Sequence, residues 1–405
     1  MRVGPSFHLS YCSNIHPGET WAAVRANLGE FLPPIRHALA PEAPFGIGLR
    51  LSAEAALTLD QPDELARFRE FLRAGPYYVF TINGFPYGVF HGEPVKERVY
   101  LPDWRDPARL EYTNRLARIL AALLPDDPGM TGSVSTLPGA FKPTVHTDDD
   151  VRTIARQLLR HAAVLRGLRE RTGRTIALAV EPEPRCLLES VDEVIAFFGQ
   201  HLFDDALIRD VGRNGDGPLT IDDVRRHLGV CYDACHMAVE FETPVDAVQR
   251  LRAAGIGIPK IQLSSALRLA FHSGDGAPAA ALGPFAEDVY LHQVVERTSA
   301  GLTHYTDLPD ALRVEAAAAT GPQSGEPREW RVHFHVPIFL DRMKGFETTQ
   351  DHLVALLALL RRDPVCPHLE VETYTWDVLP PAYRTEQITD AVTRELSWVR
   401  ERLVG

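Results

Sequence analysis

Four polar side chains close or interrupt apolar, β-type runs, where burying a carboxylate or amide is unfavourable unless something compensates it. Glu181 directly follows IALAV and is itself followed by Pro-Glu-Pro. Asp233 follows GVCY, with His236 three residues further on. Gln262 sits inside KIQLSS and Glu372 inside LEVETYTW. Lys260 is the one lysine or arginine within two residues of any of them, so local ion pairs do not explain the set. A divalent cation is the economical way to hold several carboxylates in a partly dry site. Oxygen-rich ligands with at most one imidazole favour Mn²⁺, Mg²⁺ or Co²⁺, with Zn²⁺ a further option.

Each residue also has a plainer reading. Glu181 can pair with Arg185 or cap the next turn, Gln262 can bond backbone, and Glu372 shares a strand face with Glu370. His333 and His335 of HFHVP share a face if the segment is extended. They suit substrate or second-metal ligands, or buried hydrogen-bonding residues, and His292 in YLHQVVER is of the same kind. The early loops add His8, His16, Arg50, Asn83 and Lys142, near expected strand ends and suited to binding polyols or phosphates. Singly, each also reads as an ordinary loop residue. Cys231 and Cys235 flank Asp233, but no second pair exists for a zinc knot. No Gly-x-Gly-x-x-Gly, P-loop or Gly-x-Ser-x-Gly element is present, so dinucleotide, NTP and serine-hydrolase chemistry have no support.

Positioning these groups requires strands whose ends meet. Short apolar or β-branched segments alternate with helical patterns, the rhythm of βα units. The expected strands are residues 6–12, 45–51, 77–82, 133–137, 175–180, 228–232, 259–263 and 369–373. Eight such strands close into a (β/α)8 TIM barrel, whose active face lies at the C-terminal ends of the strands. Glu181, Asp233, Gln262 and Glu372 end or close strands five to eight, so a closed barrel gathers them in one crown. Between these strands, helices are expected at 106–124, 151–168, after the Ser190/Glu193 capping box, and from Thr243-Pro244 to Gly255. A last helix is expected at 383–403. Residues 266–330 form a long insertion between strands seven and eight, expected to fold over the mouth as a rim or lid. A ninth extended segment is expected at 330–339, and the Ala/Gly/Pro-rich stretch 316–328 reads as the least ordered. No linker divides the chain, so residues 1–405 read as one barrel domain.

Composition narrows the function. The 405 residues carry 42 Lys+Arg against 54 Asp+Glu, a net charge of −12 that disfavours a general nucleic-acid binder. No apolar run approaches the ~20 residues needed to span a bilayer, and the N-terminus lacks a secretory pattern. Five scattered cysteines do not form a disulfide framework. The expectation is a cytoplasmic protein of enzyme size.

The order Glu at one strand end, Asp-x-x-His at the next, a polar ligand at the third and Glu at the last resembles the xylose-isomerase-like barrel superfamily. More finely, SYCSNIHPGETW (10–21), NGFPYG (83–88), STLPGAFKP (135–143), LHQVVER (291–297), HFHVPIF (333–339) and LEVETYTWDVLP (369–380) resemble the metabolite traffic protein EboE family. That resemblance implies a TIM barrel and a place in secondary metabolism, beside other proteins of one pathway, without specifying a reaction. The superfamily pattern implies Glu181, Asp233 and Glu372 as metal ligands, with His236 beside the substrate. The seventh-strand position, usually histidine there, is Gln262, expected to point into the barrel beside Glu181 and Asp233 with its carbonyl oxygen available to the ion. Endonucleases of the superfamily carry histidines at the ends of strands three and four, where this chain has Asn83 and residues 136–138. The reading is a metal-dependent isomerase or epimerase of a polyhydroxylated or α-hydroxycarbonyl small molecule. Glu181 and Glu372 serve as acid and base, and His236 orients a hydroxyl. A non-catalytic metabolite carrier using the same mouth is the rival, and self-association into a homo-oligomer is open.

Overall fold

The computed structural model describes residues 1–127, 129–214, 217–272, 278–318 and 327–404. Most of the stretch expected to be least ordered, 316–328, lies outside the described residues. The strands up to the insertion are β1 (Arg2–Val3), β2 (Phe7–Tyr11), β3 (Phe45–Arg50), β4 (Tyr77–Asn83), β5 (Gly132–Thr136), β6 (Ile176–Val180), β7 (Leu228–Asp233) and β8 (Gly257–Leu263). The insertion holds β9 (Leu267–Phe271), β10 (Val294–Thr298), β11 (Gly301–Tyr305), β12 (Arg328–Val332), β13 (Arg342–Met343) and β14 (Phe346–Thr348), and β15 (His368–Val371) follows.

One sheet runs β1-β2-β15-β8-β7-β6-β5-β4-β3, parallel throughout except for the short antiparallel β1. Its two ends meet through a bridge between Cys12 and Gly48, and the Ser10 hydroxyl accepts from Gly48 N (2.9 Å) and donates to Gly46 O (2.8 Å). This closes an eight-stranded barrel. Every residue of β2, β3, β5, β6, β7 and β15 is buried, as parallel strands covered on both faces require. Gly48 has a specific reason: a Cβ there would lie 2.0 Å from Glu370 Oε1 and 2.7 Å from the Tyr11 carbonyl oxygen. Among the described residues, no helix is long and apolar enough to cross a membrane.

The helices end where local chemistry dictates. Asp148–Thr172 begins on a Thr147/Asp150 capping box and stops at Gly173, whose φ of 72° favours glycine. Val191–Phe197 carries the expected Ser190/Glu193 box, whereas Thr243 makes no side-chain cap before Pro244–Ala253. The final helix is Ile388–Val404; residues 381–383 form a separate 3₁₀ turn rather than its start.

The strands from β9 to β14 form a second, antiparallel sheet in the order β11-β10-β12-β9-β14-β13. It continues past residue 330 to Thr348, because β14 returns to pair with β9. The expected extended segment 330–339 divides. Trp330 and Val332 belong to β12, but His333 N then bonds Gln293 O (2.8 Å) and Val336 N bonds Ser265 O (2.9 Å). The first of these continues the β10 register by one residue, and the second takes the chain out of the ladder and leads it back to the barrel mouth.

Candidate metal centre

Glu181 follows the last residue of β6, Asp233 ends β7, Gln262 lies one residue before the end of β8, and Glu372 follows β15. The parallel register puts Asp233 beside Gln262 and Gln262 beside Glu370, so the four side chains project from adjacent strands at one end of the barrel. Glu181, Asp233 and Glu372 each offer a carboxylate oxygen within 4.8 Å of the others. All four residues are buried.

Few neutral donors meet this negative charge. Gln262 Nε2 reaches Glu181 Oε1 (3.0 Å), Asp233 Oδ2 (3.3 Å) and Glu372 Oε2, three acceptors for two hydrogens. Its carbonyl oxygen accepts from the Cys231 thiol (2.9 Å). The expectation was that this oxygen would face the ion; here the nitrogen does. Toward three carboxylate oxygens the amide's partial positive charge is the better match. A half-turn of the amide exchanges the two atoms and presents the oxygen. Asn14 and Asn83 both donate to Glu372 Oε1 (2.8 and 2.7 Å), while Ser264 Oγ and the His236 backbone N–H donate to Asp233 Oδ1 (2.8 and 2.9 Å). Glu181 Oε2 is buried without a hydrogen-bond partner.

Burial raises the Glu181 carboxyl well above the usual range, and the Glu372 and Asp233 charges add to it. Glu372 is pushed up to about 8 by burial, then by Asp233 and Glu370. An orphaned carboxylate oxygen and crowded anions are what a divalent cation relieves, so the donor set fits one. Glu181, Asp233, Glu372 and the Gln262 carbonyl oxygen are the groups that would hold it.

No protein-family model matches the chain, and no curated protein matches its sequence. Solved structures do match. A xylose isomerase-like TIM barrel protein from Mycobacterium smegmatis, in complex with magnesium, aligns over 100% of this chain and 99% of its own, at TM-score 0.51 and 10% identity. The fold is that of the xylose-isomerase-like TIM barrels. The probable 3-DHS dehydratase AsbF of Bacillus anthracis, involved in petrobactin synthesis, aligns over 96% and 98% at 14% identity and TM-score 0.47. The IOLI protein with a bound zinc atom aligns over 98% and 98% at 11% identity and TM-score 0.43.

Above the crown, this xylose-isomerase-like barrel encloses a narrow cavity of about 50 Å³, lined by Asn14, Asn83, Glu181, Glu183, His236, His333 and Glu372. Phe90, Tyr290 and Tyr374 cover it, their ring centroids 5.0–5.2 Å apart. The insertion therefore contributes Tyr290 and His333 to the mouth. His335 packs behind His333, its Nδ1 on the Glu372 carbonyl oxygen (2.9 Å).

Other candidates lie elsewhere. His8 is at the N-terminal end of β2 with Nδ1 on the Tyr78 hydroxyl (3.0 Å), at the opposite end of the barrel from the crown. The strand starts at Phe7, so its second residue cannot reach the mouth. Arg50 does end β3, but its guanidinium is bound to Glu19 (2.8 Å) and the Gly18 and Gly88 carbonyls. Lys142 is held by Glu189 and Glu193 (2.8 and 2.7 Å). Neither lines the cavity; acidic partners nearby in the fold capture both. His16 stacks on Phe31, and His292 is bonded to Glu287 (2.7 Å).

Several groups at the mouth went unread in the sequence. Asn14 looks like any loop amide in YCSNIH. Glu183, raised by burial, accepts from Tyr100 OH (2.8 Å) and Gln293 Nε2 (3.0 Å). Its signal was available, two residues after Glu181 in EPEP; those of Tyr100 and Gln293 were not.

Proposed function

We propose that this chain is a metal-dependent isomerase or epimerase of a polyhydroxylated or α-hydroxycarbonyl small molecule, acting in the cytoplasm. The observation that carries the reading is the convergence of three buried carboxylates, one with an orphaned oxygen, beneath a covered cavity. A divalent cation there would supply positive charge to a substrate oxygen and make the adjacent C–H more acidic. The magnesium bound by the Mycobacterium smegmatis protein supports a hard ion at an oxygen-rich site of this kind. Glu181 and Glu372 enter the site from β6 and β15, separated in the sheet by β7 and β8, so one can take a proton from one face of a substrate carbon and the other return it. Asn14 and Asn83 fix the Glu372 carboxylate through Oε1. His236 keeps its Nδ1 on the Pro182 carbonyl oxygen (3.0 Å) and turns Nε2 inward, where it can accept from a substrate hydroxyl. Phe90, Tyr290 and Tyr374 exclude water. A cavity of about 50 Å³ admits a sugar-sized molecule only when that aromatic cover shifts. The resemblance of those strings to the EboE family supports a role in secondary metabolism, beside partner proteins of one pathway.

Glutamine at position 262, a weaker donor to a metal ion than the histidine usual at that position, favours a second reading: a carrier that binds the same metabolite without turnover. Solvent-deuterium exchange separates the two. Protein loaded with Mn²⁺ or Mg²⁺ and offered a ketose panel in D₂O should incorporate deuterium next to the carbonyl, followed by NMR. Glu181→Gln should lose metal and reduce exchange at least ~100-fold. Ligand binding with no exchange in the metal-loaded protein establishes the carrier instead.

A further inference from the structure

A cavity of about 880 Å³ opens at the N-terminal end of the barrel, opposite the crown. Its walls come from residues at strand starts: Pro44 before β3, Tyr77 opening β4 and Arg174 shortly before β6. His8 lies there too, its Nδ1 on the Tyr78 hydroxyl (3.0 Å). The last turns of the helices Pro62–Ala74 and Pro107–Leu123 complete the rim. Leu72, Leu124 and Met130 make part of the surface apolar. Charge is not balanced in this lining, where four arginines stand against two aspartates. Arg2 pairs with Asp127 (3.1 Å) and Arg174 with Asp126, so both carboxylates are taken. Arg69 and Arg73 are exposed and have no ion pair or hydrogen bond among the described residues. They stand one turn apart on the helix Pro62–Ala74, where like charges repel. Burial, then the Arg2 charge, lowers His8 to about 4, so it is neutral at physiological pH and adds nothing to the excess. The two helix ends offset about half a charge each, which leaves the lining positive. The chain as a whole carries −12.

We propose that this cavity is a second ligand site, taking a small organic anion whose phosphate or carboxylate group is clamped by Arg69 and Arg73 and whose apolar body lies against Leu72, Leu124 and Tyr77. A guanidinium presents paired N–H groups that match two oxygens of either anion, and the charge makes those bonds the strong kind. The apolar wall gives the rest of the molecule somewhere to go, so a bare ion uses only part of the site. The volume falls within the ~300–1,000 Å³ of small-molecule sites, whereas the cavity over the crown is far smaller. The N-terminal face of such a barrel ordinarily serves stability. Two arginines that pair with nothing do not serve it, and their repulsion is relieved only by an added negative charge. The site is independent of the reaction assigned above, since its lining shares no residue with the crown or its cavity.

The test is calorimetric titration of the full-length chain, stripped of metal so that no ion at the crown can capture the probe. The probes are 1-naphthyl phosphate and 1-naphthoate, with 1-naphthol and inorganic phosphate as the two halves alone. Saturable binding of either naphthyl anion is expected, at least ~10-fold tighter than both halves, and the better of the two identifies the anionic group. Arg69→Gln/Arg73→Gln should weaken it at least ~10-fold, as the loss of charge-assisted hydrogen bonds requires, with native circular dichroism because both side chains are exposed. Arg67→Gln removes a charge from the same helix outside the lining, where Arg67 pairs with Glu64, and should bind as wild type does. Glu181→Gln should also bind as wild type does, which places the probe away from the crown. Neither naphthyl anion binding to the wild type overturns the proposal. So does full affinity in the double arginine variant, or an equal loss in Arg67→Gln or Glu181→Gln.

Discussion

The barrel interior buries carboxylates in two layers, and the protein treats them in opposite ways. In the lower layer, Glu370 meets Lys260 at 2.6 Å, both completely buried, with the Lys260 ammonium also on Ser135 Oγ (3.1 Å). Burial pulls the Lys260 ammonium down, but the Glu370 charge beside it more than restores it, and it stays protonated. Two residues further along the chain, Glu372 joins Glu181 and Asp233, where amide, hydroxyl and backbone groups donate the hydrogen bonds and the nearest imidazole nitrogens stand 3.7–3.8 Å away. A buried negative charge that serves the fold brings its own cation. One that serves chemistry leaves the cation to be supplied.

Removing the cation from the lower layer is the harshest test of that contrast. Lys260→Met leaves Glu370 buried and unpaired and should destabilise the protein by ~3–5 kcal/mol, measured by urea unfolding. The double variant Lys260→Met/Glu370→Leu should recover most of the loss, because neither charge then remains to be desolvated. If the single variant unfolds like the wild type, burying Glu370 does not depend on the Lys260 charge and the two layers do not differ. Glu372 has no such internal partner to lose.

That contrast also explains what the sequence showed. The eight barrel strands were legible because each is a nearly continuous apolar run, as burial on both faces demands. Glu181, Asp233 and Glu372 were legible because a charge at the end of such a run stands out against its neighbours. Asn14 and Gln293 did not stand out: each is a neutral amide whose partner lies far along the chain, Glu372 for one and Glu183 for the other. Arg50 and Lys142 misled, since a base near a strand end looks the same whether a ligand or a nearby glutamate takes it. The second sheet was hidden because its short strands pair in the order β11-β10-β12-β9-β14-β13, which local patterning does not encode.

Gln262 sharpens the contrast within the upper layer, since it is the one ligand position held by a neutral amide. Gln262→His replaces a weak oxygen donor with an imidazole nitrogen, which transition ions prefer. Zn²⁺ affinity should rise ~10-fold, about 1.4 kcal/mol, with Mg²⁺ affinity unchanged or lower, measured by calorimetric titration. An unchanged Zn²⁺ affinity places Gln262 outside the coordination shell and leaves its amide a structural brace for Glu181 and Asp233.

Glu395 tests the contrast at its gentlest, because it is buried with neither a cation nor a crowd of anions. Its Oε1 accepts from Thr373 Oγ1 (2.7 Å) and Ile338 N (3.1 Å), and burial still pushes the carboxyl up to about 7. The sign follows from which state keeps the proton. Between the ordinary carboxyl value of 4.5 and about 7, the unfolded chain loses it while the folded protein holds it. Stability from this group is therefore complete at low pH, declines as pH rises through that window, and levels off above it. Glu395→Gln mimics the protonated form at every pH. Its stability relative to wild type should climb by ~1 kcal/mol per pH unit between pH ~5 and ~7, followed by urea unfolding. Parallel profiles would mean that two neutral donors suffice to keep a buried carboxylate ionised. The crowding of Glu181, Asp233 and Glu372, rather than burial, would then be what sets the upper layer apart.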